Sequence, residues 1–425
     1  MANLALSYWH HGKLEAAENL GEQVLLLCKQ QRIGEQHPHT LMSMANLAVT
    51  YRDRGKLEAA ESLTEKVLLL HKQVNGEHHP YTLMAMANLA MTYKNRGKLV
   101  AAENLGEKVF RLRKQVVGEK HPDTLMSMAN LAMIYRDRGK LEVAENIGEE
   151  VLLLRKQVIG EHHSDTLMSM ANLAIMYRDC GKLDAAENLG EQVVPLCKKV
   201  NGERHPRTLI SMAILAKIYR TRGKLEAAEN LGVEVLLLRK QVNGEHHPST
   251  LASMVNLVMT YRNCGKLEAA KNIGEQALLL CKQFNGEHHP STLTAMANLA
   301  MVYMDCGKLE VAEDLGEQAL LLRKEVIGEY HPSTLTSMAN LAMIYMACRN
   351  LEAAENLGEQ VLLLHKQIVG EHHLDTLISI ADLAITYRSH GKLDAAENLG
   401  EELLFCKQVI GKHHPHTLIS MENLA

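Results

Sequence analysis

Aromatic residues are scarce: three Phe, one Trp and twelve Tyr in 425 residues. A single globular core of this length would draw on more of the large rings that dominate core burial, so one large globular domain is disfavoured. Long apolar runs are missing as well. No stretch approaches the roughly 18 apolar residues that a bilayer-spanning helix needs. The opening Met1-Ala2-Asn3-Leu4-Ala5 has neither the basic nor the apolar segment of a secretory signal, and no membrane association is expected. Charge of one sign is absent too. The 46 Lys and Arg are interspersed among 50 Asp and Glu, for a net charge of -4. No nucleic-acid partner is expected without a dominant basic face. Eight Cys do not make a disulfide framework in so long a chain. Cys180, Cys264, Cys306 and Cys348 recur at multiples of 42 residues, as do Cys197 and Cys281. Equivalent residues of stacked units stand on the order of 10 Å apart, beyond the roughly 7 Å reach of a disulfide. Reduced thiols in a cytoplasmic protein are the expectation.

What is present in abundance is repetition. Asn-Leu-Ala recurs at 3, 46, 88, 130, 172, 298, 340 and 423, with near-copies at 214, 256 and 382. The step is 42 residues, with one extra residue in the first interval and one fewer in the last. Gly-Lys-Leu keeps the same step from Gly12 to Gly391, broken only by Arg349-Asn350. A fixed period of this size is the signature of stacked supersecondary units, and a single array of about ten such units fills residues 1–425.

One unit shows the physics. Leu41, Met44, Leu47, Ala48 and Tyr51 fall on one face of a helix predicted from Thr40 to Asp53. Gly55 is placed to end it in a left-handed cap. A second helix is predicted from Lys56 to Val74 with Leu57, Ala60, Val67 and Leu68 buried, Glu58 and Glu61 on a solvated face, and His71 and Lys72 suiting its dipole. Asn75-Gly76-Glu77-His78-His79-Pro80 forms a loop, and Thr82 opens the next helix. Neither helix can bury its stripe alone, so the units must stack. A Gly recurs inside the second helix, at 21, 106, 148 and onward. A mid-helix Gly costs about 1 kcal/mol against Ala, and its recurrence implies close helix-on-helix packing. Pro195, inside one second helix, is expected to kink it.

Leu47-Ala48-x-x-Tyr51 and Gly55-Lys56-x-x-x-Ala60 resemble the tetratricopeptide repeat along the whole chain. The 42-residue unit with its Gly-Glu-x-His-Pro loop is similar to the kinesin light chain subtype and to the arrays of fungal NLR-like signalling proteins. Met44 stands where the wider family often has Trp. The resemblance implies an all-α, right-handed superhelical solenoid of antiparallel helix pairs, with the first helix of each pair lining a concave groove.

Two ladders would then face that groove. One is Asn46, Asn88, Asn130, Asn172, Asn256, Asn298 and Asn340, continued at Asn3 and Asn423. The other is basic: Arg52, Lys94, Arg136, Arg178, Arg220, Arg262 and Arg388. An Asn amide both donates and accepts, so a row of them can pair with the backbone of an extended peptide, while the basic row favours acidic side chains. The competing reading is that Asn braces neighbouring repeats and Arg pairs with the adjacent Asp53-type residue. The ladders are interrupted at Ile214, Met304, Met346 and Asp382, and between them Lys217 stands at the Val49 position. A protein–protein interaction scaffold for extended, acidic segments is the leading reading. A self-associating structural solenoid and a cargo-adaptor segment of the kinesin light chain kind are the alternatives.

Catalysis, cofactors and metals are not expected. The pairs His78-His79, His162-His163, His246-His247, His288-His289, His372-His373 and His413-His414 suggest zinc, which needs three or four convergent ligands. The second His recurs in every loop, one repeat apart, which marks a structural residue bonding a helix-end carbonyl. Almost every polar residue has copies, whereas an active site needs unique, convergent groups. Met1-Ala2-Asn3-Leu4 matches Met44-Ala45-Asn46-Leu47, and the sequence closes on Glu422-Asn423-Leu424-Ala425. Both ends are therefore expected to be cut within a first helix, as in a piece of a longer array or one that associates end to end.

Overall fold

The computed structural model describes residues 1–30, 34–371 and 373–410. Among these every regular element is a helix, and the helices come in pairs. They are α1 Ala2–His10 and α2 Leu14–Gln30, α3 Pro38–Asp53 and α4 Leu57–Asn75, α5 Pro80–Asn95 and α6 Leu99–Val117, α7 Pro122–Asp137 and α8 Leu141–Ile159. Then follow α9 Ser164–Asp179 and α10 Leu183–Asn201, α11 Pro206–Thr221 and α12 Leu225–Asn243, α13 Pro248–Asn263 and α14 Leu267–Phe284. The last are α15 Pro290–Asp305 and α16 Leu309–Ile327, α17 Pro332–Ala347 and α18 Leu351–Ile368, α19 Leu374–Ser389 and α20 Leu393–Ile410. The fold is an all-α solenoid. His372, His413, His414 and Asn423 lie outside the described residues.

The loop histidine starts each first helix. His79 sits in extended backbone and its Nδ1 accepts the Tyr81 amide at 3.3 Å; His163 takes the Asp165 amide at 3.1 Å. The helix thus opens at Pro80, two residues before Thr82, and the ring caps the helix that follows it instead of the one before. Proline in the first turn lacks only a donor that would be unpaired there. Thr82 is fully buried and its hydroxyl donates to the Gly76 carbonyl at 2.7 Å. At the other end Gly55 is left-handed (φ +74), with Lys56 N–H on Tyr51 O at 2.8 Å and Gly55 N–H on Arg52 O at 3.0 Å, the paired closure of a Schellman cap. Arg349 makes the same closure at φ +61, a conformation that costs a side-chain-bearing residue about 1–2 kcal/mol.

Leu41, Met44, Leu47, Ala48, Leu57, Ala60, Val67 and Leu68 are all buried, and Tyr51 is half-buried. The second-helix glycines do allow close approach: a Cβ at Gly148 would stand 2.7 Å from Met176 Sδ, and one at Gly21 2.9 Å from Leu47 Cδ1. Helix α10 runs continuously through Pro195, which faces solvent. The assignment of Glu61 to a solvated face is wrong. Glu58 is exposed, but Glu61 is 7% exposed and held by Arg96 at 2.7 Å and Lys98 at 2.5 Å, both from the next repeat. Glu18 and Glu103 repeat the arrangement with Arg54 and Lys56, and with Arg138 and Lys140. A buried carboxylate persists only when so paired, and these pairs fix the stacking of one unit on the next.

First helices of successive repeats pack on one another, as α9 on α11 and α13 on α15, whereas second helices splay apart. First helices therefore form the inner wall of the coil. The coil also closes on itself. The turn at Gly55 lies against the loop at His289, Gly97 against His331 and Gly139 against His373, each 234 residues further on; Gly12 meets His247 in the same way. His289 Nε2 donates to the Asp53 carbonyl at 2.9 Å across this seam. Its Nδ1 already accepts the Ser291 amide at 3.1 Å, which places the proton on Nε2.

Candidate functional site

The inner wall carries both ladders. Asn46 and Asn256 are exposed, and Asn88, Asn130, Asn172, Asn298 and Asn340 are half-buried. Asn298 Nδ2 donates to Val255 O at 3.3 Å, a brace to the previous repeat. No other amide of this ladder hydrogen-bonds to protein among the described residues, so the bracing reading applies to one residue of seven. Where a neighbouring hydroxyl bonds at these positions, as Thr50 to Asn46 and Thr92 to Asn88, it uses the backbone carbonyl and leaves the side chain free.

The basic ladder behaves differently. Arg52 meets Asp53 at 3.2 Å, Lys94 meets Asp137 at 2.7 Å, and Arg136 meets Asp137 at 2.7 Å and Asp179 at 3.7 Å. Arg178 meets Asp179 at 2.5 Å and Arg262 meets Asp305 at 2.6 Å. Each partner is the next residue or its equivalent one repeat on. Arg220 is the exception. Thr221 and Asn263 occupy those two positions, and no carboxylate pairs with Arg220 among the described residues. One helical turn before it, Lys217 replaces the apolar residue found at Met133 and Met259. Lys217 is exposed toward the interior of the channel. The positive charge of Arg178, reinforced by burial and by Arg220, pushes its ammonium down to about 8. Burial, followed by the Arg178 charge, also lowers Arg220. Lys217 and Arg220 thus form, with Arg178, a cationic cluster midway along the wall, and the carboxylate that acts on Lys217, Asp179, is already paired with Arg178.

The ladders are broken in the later repeats, before the basic series resumes at Arg388. Met304 and Met346 replace the basic residue, and Asp382 replaces Asn. Burial pushes the Asp382 carboxyl up to about 6. Between the two superhelical turns the channel widens into a cavity of about 510 Å³, walled by Lys94, Arg136, Arg178 and Lys217 on one side and by His331, Thr336, His365 and His373 on the other.

One residue of the wall went unread in the sequence. Trp9 occupies the Arg52 position of the first repeat, and its indole N–H donates to Asp53 Oδ2 at 2.9 Å, as Arg262 donates to Asp305. Register with Leu4, Ala5 and Tyr8 was the signal available. Beneath Trp9 a small pocket of about 90 Å³ is lined by Leu6, Ala17, Gly21 and Leu47. Among the described residues no three His, Cys, Asp or Glu side chains cluster as metal ligands. No described helix is long and apolar enough to cross a membrane.

The helix pairs, the capped turns and the inner wall built from first helices define a repeat solenoid of the interaction-scaffold kind. The sequence model of the tetratricopeptide repeat matches residues 1–68, 45–115, 81–157, 123–199, 165–241, 249–303, 293–349 and 338–404, and the chain belongs to that family. Its similarity within the family is to arrays of the kinesin light chain type. The crystal structure of the Podospora anserina putative kinesin light chain nearly identical TPR-like repeats is 31% identical, covering 48% of this chain and 97% of that one, at a TM-score of 0.39. BtubC (BKLC) from P. vanneervenii is 19% identical over 56% of this chain and 93% of its own, at 0.43. A Rap protein complexed with competence and sporulation factor is 13% identical over 86% and 99%, at 0.49. No curated protein matches the chain.

Proposed function

We propose that the chain is a non-catalytic scaffold that binds extended, acidic peptide segments of other proteins along its inner wall. The observation that carries this reading is the division of labour on that wall. Asn amides left unpaired at all but one ladder position offer backbone recognition without sequence preference, and Lys217 with Arg220 offers a cationic point that forms no ion pair among the described residues, its neighbour Asp179 being held by Arg178. Acidic preference is therefore concentrated at one place among these repeats, because Arg52, Lys94, Arg136, Arg178 and Arg262 are already paired with Asp53, Asp137, Asp179 and Asp305. Each hydrogen bond to Asn contributes roughly 0.5–1.5 kcal/mol, and each charge-assisted bond about 1.5–3. The family places its members among protein-binding proteins, and the cytoplasm is the proposed site of action. Burial raises the thiols of Cys180 and Cys281, to about 12 and about 11, which leaves them unreactive.

The test is a display library of random 12-residue peptides selected on the purified chain and on the variant Lys217→Met/Arg220→Met, which gives both positions the residue that other repeats carry. Acidic peptides enriched on the wild type, weakened at least tenfold by the variant and further by salt, are the expected outcome. Enrichment with no acidic bias, or acidic peptides that bind both proteins equally, would overturn the assignment of the anchor. A second variant, Asn130→Ala/Asn172→Ala, should weaken all peptides alike.

A further inference from the structure

We propose that the seam closing the coil within one molecule is also a self-association surface, through which a second copy continues the superhelix. The seam has two sides. One is the edge of turns between the helices of a pair, and the other is the edge of loops between pairs. Within the chain, the turns at Gly12, Gly55, Gly97 and Gly139 receive the loops at His247, His289, His331 and His373. The fit is tight enough to require glycine. A Cβ at Gly12 would stand 2.4 Å from the His247 ring, at Gly55 2.6 Å from Pro290 Cδ, and at Gly139 2.7 Å from Val369 Cβ.

Four further turns, and the loops at His121, His163 and His205, are built the same way and are left open. Gly223, Gly265, Gly307 and Gly391 keep the left-handed backbone, with φ between +72 and +79, and have nothing within 4 Å where a Cβ would be. The covered turn glycines Gly12, Gly55, Gly97 and Gly139 are buried or half-buried, whereas Gly223, Gly265, Gly307 and Gly391 are exposed. On the other edge His121, His163 and His205 are exposed, while their covered equivalents His289 and His331 are half-buried. One edge of open turns and one of open loops, each spaced at 42 residues, lets several pairs engage together. The occupant is thus specified by an interface the chain already makes with itself. Charge does not oppose it, since the loop glutamates Glu119, Glu161 and Glu203 are held by Lys114, Lys156 and Lys198. Turns of one copy on loops of another form a heterologous contact, which does not close on itself and propagates as a filament. Arg349 is the one side chain placed at a turn position on the open edge, and it weakens the assembly there.

The experiment is sedimentation velocity of the full chain from about 1 to 200 µM. It is run beside His121→Asp/His163→Asp/His205→Asp, which keeps a good helix cap but removes the rings that would pack on the turns. The wild type should sediment faster as concentration rises, and the triple variant should need at least tenfold more protein for the same shift while its circular dichroism is unchanged. Arg349→Gly should lower the concentration needed several-fold. A wild type that stays monomeric throughout, or a triple variant that associates as well as the wild type, would overturn the proposal. Peptide binding in the channel, measured on the same samples, is independent of either result.

Discussion

The loop ending at Pro122 and the loop ending at Pro332 have the same local structure in different surroundings. In each, a His caps the next helix, a Thr hydroxyl returns to the loop glycine (2.7 Å from Thr124 to Gly118, 2.7 Å from Thr334 to Gly328), and a Gly turns left-handed. The first lies open, with Val117 38% exposed. The second is covered by the turn at Gly97, and the equivalent Ile327 is 5% exposed. Local sequence dictates the same hydrogen bonds in both. The pitch of the coil, a property of all the repeats together, decides which becomes interior.

The sharpest way to break this comparison is to place a charge in each loop. Ile327→Asp buries a carboxylate without a partner and should cost about 3–5 kcal/mol. Val117→Asp at the open equivalent should stay within about 0.5 kcal/mol. Chemical denaturation followed by circular dichroism measures both. Equal costs would mean that the seam is not closed in solution. A finer contrast uses glycine. Gly265→Ala should cost about 1–2 kcal/mol for its left-handed backbone alone. Gly55→Ala should cost about 1–3 kcal/mol more, because its methyl would meet Pro290 and the His289 backbone. The difference between the two variants isolates the seam from the turn.

Much of this architecture is legible in the sequence because it is local. The 42-residue period, the two apolar stripes and the glycine turns depend on neighbours a few residues away, and the helix bounds are met to within about two residues. Glu61 was misread because its partners Arg96 and Lys98 come from the next unit, and a solvated face and a buried inter-repeat pair share the same helical spacing. The Asp partners of the basic ladder were weighed as immediate neighbours, which holds for Arg52 and Arg178 but not for Lys94 or Arg262, whose carboxylates come 43 residues later. With that offset known, the isolation of Arg220 follows from Thr221 and Asn263. The seam could not be read at all. It joins residues 234 apart, and no periodicity in the chain encodes that distance.

Acid should loosen the seam before it unfolds the repeats. Burial pushes the His331 imidazole down to about 4, with Lys94 and Arg323 adding to the effect and Asp137 opposing it; burial also lowers His247 and His289. A His whose pKa falls on folding binds protons more readily in the open state. Seam stability is therefore fully present above the ordinary value of 6.5 and is lost as pH falls toward about 4. Small-angle scattering should show the coil lengthening over that window, and His331→Gln should blunt the change. Hydrogen exchange in the open loops at His121 and His163 should not follow the same curve.

The smallest expected effect lies at the far end of the wall. Asp382 stands at an Asn position, and burial holds its carboxyl at about 6. Its folded value is raised, so at neutral pH the native state carries a charge that the unfolded chain would hold more easily. The penalty disappears as pH falls through 6 toward the ordinary carboxylate range. Asp382→Asn should therefore stabilise the chain at pH 7.5 by about 1 kcal/mol, discounted for the water that reaches the channel, and by much less at pH 4.5. The same substitution restores the Asn ladder and removes a negative charge from the wall. If the wall binds acidic segments, peptide affinity should rise as stability does. A gain in stability with no change in affinity would confine the peptide to the repeats around Lys217 and Arg220.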